Sequence, residues 1–225
     1  MRRWFTLIAL VGLVTGTAVG GDIATFENLG FSEGHGVFVF GQYGVGGDES
    51  RPFAEIYVVD VAGNRFVSGG VFSLTSSEPI ALGQDGRGAF YTLLGQAREL
   101  LTEQRVDHLS TGRPVYVLVD GEEPRERLTF RDFNTSRRYD VRLLQERRGE
   151  GDDTSAAFHV ELAITGPDDA VRTLTIGRPS YFRGGVASYR ITQILSGPDD
   201  RAVVIVVEMR TPDGSIRYMV ETAAL

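Results

Sequence analysis

The sequence of 225 residues contains no cysteine. That excludes disulfides, thiol nucleophiles and cysteine-ligated zinc, and it removes the residue a lipid-modified N-terminus would need. Histidine is scarce. Its three copies, His35, His108 and His159, lie far apart and show neither H-x-H nor H-E-x-x-H spacing, so they read as surface histidines rather than metal ligands. A basic surplus is missing as well. The formal net charge of −7 argues against a nucleic-acid partner, because phosphate contacts need clustered basic side chains. The one arginine cluster, Arg137, Arg138, Arg142, Arg147 and Arg148, is followed at once by acidic residues and reads as a solvated strand face. Gly44-Val45-Gly46-Gly47 lacks the Lys-Ser/Thr and the helix of a phosphate loop. The acidic turns at Asp48-Glu49, Asp152-Asp153, Asp168-Asp169 and Asp199-Asp200 lack the EF-hand spacing and read as hairpin tips. No cofactor and no metal are expected.

The N-terminus carries the most specific signal. Met1-Arg2-Arg3 is positively charged, and Trp4 to Val14 is apolar but too short to span a bilayer, which takes about 20 residues. Ala18-Val19-Gly20 then offers small residues before Gly21. The pattern predicts a Sec-type leader over 1–20, cleaved after Gly20, and a mature chain over 21–225 that is periplasmic or secreted. No later segment is long and apolar enough to cross a membrane.

The 28 glycines, many beside polar turn residues, imply many short connections. Val37 to Phe40 is a short apolar run bounded by glycines, and Ala54 to Asp60 follows as a second strand, with Ala54, Ile56 and Val58 on one face. A long polar tip joins them, and Gly30 to Gly34 reads as the turn before them. Alternation recurs through Tyr139, Val141 and Leu143, and through Phe158, Val160, Leu162 and Ile164. Phe90, Leu93, Leu94, Ala97, Leu100 and Leu101 keep helical spacing and predict one helix over 89–106. The last strands, Ala202 to Met209 and Ile216 to Thr222, echo the first hairpin. The expected fold is mainly β, a single domain. Antiparallel meanders and hairpins form a sandwich or a partial-propeller-like sheet structure, with one packed helix.

Phe31-Ser32-Glu33-Gly34, Phe40-Gly41-Gln42-Tyr43-Gly44, Ala54 to Val61 and Arg217 to Thr222 together resemble a family of predicted secreted bacterial proteins whose domain has no assigned function. The resemblance implies export and supplies no catalytic residues. The first hairpin alone is similar to one blade segment of periplasmic β-propellers, although only two such units occur where closure takes about four.

Gly30-Phe31-Ser32-Glu33-Gly34 matches G-x-S-x-G on paper, but a nucleophile elbow needs a helix after the serine, and here a strand follows. The sequence therefore favours a non-catalytic envelope binding or assembly module, with an envelope protein or a small ligand as partner. Its binding surface is expected at Gln42, Tyr43, Tyr57, Arg217 and Tyr218 on the end hairpins. The alternative is an envelope hydrolase whose site, near Ser32 or His35, is assembled by the fold.

Overall fold

A computed structural model describes residues 21–225 apart from 48, 49, 82 and 120. The expected leader over 1–20 and the acidic pair Asp48-Glu49 lie outside the described residues.

Three antiparallel sheets stack on one another, and one helix covers the outer face of the first. That first sheet has the order β4 (Arg65–Thr75), β3 (Pro52–Asp60), β2 (Val37–Val45), β1 (Thr25–Ser32), β5 (Val106–Asp107). The middle sheet has the order β14 (Ile216–Ala224), β13 (Ala202–Arg210), β12 (Ser188–Ser196), β6 (Arg113–Val117). The third has the order β10 (Val171–Gly177), β9 (Ser155–Thr165), β8 (Arg138–Arg148), β7 (Arg127–Arg131), with β11 (Arg183–Gly184) also on β9.

Burial follows from this stacking. Strand β13 is covered on both faces, so Ala202 to Glu208 is buried throughout and reads as a continuous apolar run rather than an alternation. Val203, Ile205 and Val207 pack toward the third sheet with Val141, Val160 and Leu162. Ala202, Val204 and Val206 pack toward the first sheet with Phe31, Phe38, Phe40 and Val59. Each such side chain contributes roughly 1.5–3 kcal/mol. The two end hairpins therefore lie in different sheets and face each other.

The helix α1 (Arg87–Glu103) packs Ala89, Phe90, Leu93, Ala97 and Leu101 onto Val39, Ala54, Ile56 and Val58. It begins two residues before the expected start, because Gly86 caps it, and it ends earlier, because Arg105 turns left-handed at φ 51°.

Two glycine readings are corrected. Gly30 is not a turn residue; it lies within β1 at a bulge, where the register shifts between Asn28 and Gly30. Its φ is +96°, and a Cβ there would meet the Asp107 carbonyl at 2.4 Å. Gly69-Gly70, which in the sequence reads as an interruption between strands at Arg65 to Ser68 and Val71 to Leu74, does not break β4, which runs through it with a register shift against Tyr57 and Val59. The propeller likeness is also corrected: the strands β1–β2–β3 sit in a five-stranded sheet stacked face to face on another, not in a radial array.

Candidate functional site

Where the facing hairpins meet, the edge of β14 lies at the bottom of a cleft of about 530 Å³. That volume falls within the roughly 300–1,000 Å³ of small-molecule sites. One wall is β2, β3 and the start of β4, which bring Phe40, Gln42, Glu55, Tyr57, Val59 and Phe66. The other wall is the connection between β10 and β11, with Arg178 and Tyr181, and the first residue of β11, Arg183.

Four of the five expected binding residues line this cleft: Gln42, Tyr57, Arg217 and Tyr218. Tyr43 does not. Strand alternation turns it to the opposite face from Gln42, where it is buried under α1 and its hydroxyl accepts from Arg87 Nε at 2.9 Å.

Gln42 is only 1% exposed and works as a clamp between sheets. Its Oε1 accepts from the Tyr218 N–H at 2.7 Å, and its Nε2 donates to Glu55 Oε2 at 2.6 Å and to the Tyr218 carbonyl at 3.3 Å. The Tyr57 hydroxyl also donates to Glu55 Oε2, at 2.9 Å. Burial, reinforced by the Glu55 charge, raises the Tyr57 pKa, so the phenol stays protonated and keeps donating. Arg217 is held by Asp22, Nη2 to Oδ2 at 3.0 Å, and its guanidinium stacks on Phe53 at 4.0 Å.

At the far end of the cleft, Asn64 caps β14 a second time. Its Oδ1 accepts from the Thr222 N–H at 2.8 Å, and its Nδ2 donates to Glu221 Oε2. Glu221 is 6% exposed. Burial raises its pKa, against the Asn64 hydrogen bond and the positive charge of Arg183 and Arg178.

The rim was not foreseen. Tyr181 and Phe66 are about half exposed at the mouth. The guanidiniums of Arg183 and Arg178 lie over the Tyr181 ring, at 4.8 Å and 6.0 Å. Neither arginine has a carboxylate within ion-pair distance among the described residues. The sequence signal was the run Arg178-Pro179-Ser180-Tyr181-Phe182-Arg183 between two strands, whose prolyl turn reads as ordinary loop.

Ser32 and His35, the residues of the alternative hydrolase reading, make local contacts of their own. Ser32 is 6% exposed, and its Oγ accepts from the Val37 N–H at 3.1 Å, as a turn serine does. His35 Nδ1 faces Asp199 Oδ2 at 3.5 Å. Elsewhere His108 Nδ1 meets the Leu29 carbonyl at 2.7 Å, and among the described residues no cluster of three metal-ligating side chains forms. Four of the five clustered arginines are engaged: Arg138 with Asp169, Arg142 with Glu161, Arg148 with Glu146, and Arg137 with the Asp200 carbonyl.

No helix among the described residues is long and apolar enough to cross a membrane. Among curated proteins and solved structures nothing matches the chain significantly. A family model described as predicted secreted protein (DUF2259), a domain without an assigned function, matches residues 39–224, from the third residue of β2 to the end of β14. The match takes in both hairpins that form the cleft and the loop that forms its rim, and on that extent the chain belongs to this family of predicted secreted proteins.

Proposed function

We propose that the protein is an exported, non-catalytic binding module of the cell envelope, with its site in the cleft between the end hairpins. The leader over 1–20 is removed after Gly20, and the chain over 21–225 works as one domain in the periplasm or outside the cell. The supporting observation is the chemistry of the cleft. An apolar lining, Phe40 and Val59 on one wall and Met219 and Val220 at the bottom, carries a rim of exposed aromatics and arginines. Apolar walls with a few convergent polar groups are the general composition of ligand sites. Binding is favoured over catalysis because the cleft's two carboxylates serve other groups: Glu55 accepts from Gln42 and Tyr57, and Glu221 from Asn64.

The test is retention. The exported protein is equilibrated with a fractionated envelope extract, excess is removed, and retained species are read by native mass spectrometry. Phe66→Ala and Tyr181→Ala, both rim substitutions, are expected to lower retention of a bound species at least tenfold while leaving the urea midpoint unchanged. Retention untouched by both substitutions, or no retained species at all, defeats the reading.

A further inference from the structure

Strand β14 is the free edge of the middle sheet, and its outward main-chain groups can be followed residue by residue. In an antiparallel strand, alternate residues turn both N–H and C=O away from the paired neighbour. The Ile216 N–H donates to the Asp22 carbonyl at 2.7 Å, and its carbonyl accepts from the Ala24 N–H at 3.1 Å. Tyr218 is clamped at both groups by the Gln42 side chain. The Thr222 N–H is capped by Asn64, and the Ala224 carbonyl accepts from Arg172 Nη2 at 3.2 Å. Val220 is the remaining member of this alternation. Its partner in β13 is Val206, in the same register class as the pairs Glu208–Tyr218 and Val204–Thr222, so its N–H and C=O face the same edge. Among the described residues no side chain or outside main-chain group is bonded to them. Val220 lines the cleft.

We propose that this gap in the β14 edge receives one peptide unit of an extended chain ending in a free carboxylate, which Arg178 and Arg183 bind. The inference rests on the cleft reading above and names its ligand class. Three observations select this occupant. Strand addition needs a donor–acceptor pair left open at a sheet edge, and Val220, mostly buried but lining the cleft, supplies one. Both groups of Tyr218 and the N–H of Thr222 are already occupied, which hinders pairing on either side, so the bound chain ends or turns away after one unit. The two rim guanidiniums, without carboxylate partners among the described residues, supply the charge complement to a terminal carboxylate. The apolar lining, Val59 and Met219, and the aromatic rim, Tyr181 and Phe66, take the side chains.

The experiment uses the exported protein and two pools of N-acetylated tetrapeptides, identical except that one has free carboxyl termini and the other carboxamides. Hydrogen exchange by NMR is read first without ligand. The Val220 amide is expected to exchange at least tenfold faster than those of Tyr218 and Thr222. Addition of the acid pool slows Val220 exchange at least tenfold, and the amide pool has at least tenfold lower affinity. The double variant R178Q/R183Q removes that preference while leaving the exchange pattern of the free protein unchanged. A Val220 amide already protected without ligand, no binding of the acid pool, or equal binding of acid and amide pools overturns the proposal. If envelope retention still depends on Phe66 and Tyr181 while the acid pool fails to bind, the cleft reading stands and the peptide assignment falls.

Discussion

The side-chain amide of Gln42 is bonded to the main chain of Tyr218 in both directions, accepting from its N–H and donating to its carbonyl. One buried side chain thus closes part of a sheet edge and ties two sheets together. Replacement by alanine removes both bonds to the Tyr218 main chain, a loss of about 0.5–1.5 kcal/mol for each. Gln42→Ala is therefore expected to lower the urea midpoint clearly. Gln42→Glu keeps an acceptor for the Tyr218 N–H but sets a second carboxylate against Glu55. It should be the worse variant at neutral pH and should recover as the pH falls toward 4, in urea titrations at several pH values.

A second network holds the middle sheet to the turn after β7. Arg113 makes a two-pronged contact with Asp132, both bonds at 2.8 Å, and its Nη2 also reaches Asp200 Oδ1 at 2.9 Å. The Asp132 carboxylate, 2% exposed, is held down to about 2 by Arg113, helped by Thr135 and the Asn134 N–H, against the opposing effect of burial. Its folded pKa lies below the ordinary 3.8, so its contribution is complete above that value and is lost as the pH falls from about 4 to about 2. Asp132→Asn should flatten stability over that window. Arg113→Ala should cost about 3–5 kcal/mol at neutral pH, since it strands a buried carboxylate. Acid titration of the unfolding midpoint reads both.

Glu221 has the opposite sign. Burial raises its pKa above the ordinary 4.5, so the folded state holds the proton more tightly and stability declines as the pH rises through the folded value. Glu221→Gln removes the charge and keeps an acceptor for Asn64 Nδ2. The variant should match or exceed the parent at pH 7 and lose that advantage near pH 4. Greater destabilisation at pH 7 than at pH 4 contradicts the assignment.

These residues mark the limit of what the chain reveals locally. The strands of β8 and β9 are legible because each has one buried face, and period-two alternation follows directly. The run Val203 to Val207 is legible as a strand, though not as the middle layer of three sheets, since a continuous apolar run states only that both faces are covered. Gln42 was picked out with its neighbour Tyr43, yet alternation sends adjacent residues to opposite faces. Only one of the two can face a given cleft. The caps were out of reach. Gln42 and Tyr218 are 176 positions apart, and Asn64 and Thr222 are 158 apart, so no local pattern encodes either pair. Gly30 was misread because a glycine that admits a neighbouring carbonyl looks, in sequence, like one that turns the chain.

Helix docking gives a paired prediction in which similar substitutions have opposite signs. Gly86 caps α1 against the backbone of Gly44, and a Cβ there would stand 2.3 Å from the Gly44 carbonyl oxygen. Neither partner is a flexible side chain, so Gly86→Ala must push the helix off the first sheet and loosen the contacts of Phe90 and Leu93 beneath it. Gly95 lies within the same helix, and a Cβ at that position meets nothing within 4 Å. Glycine in a helix interior costs roughly 0.5–1 kcal/mol relative to alanine. Gly95→Ala should therefore raise the unfolding midpoint by about that amount, while Gly86→Ala lowers it by more than 1 kcal/mol, about the scale set by overpacking. Urea denaturation of the two single variants checks both signs, and equal effects would show that α1 is not seated on the Gly44 backbone.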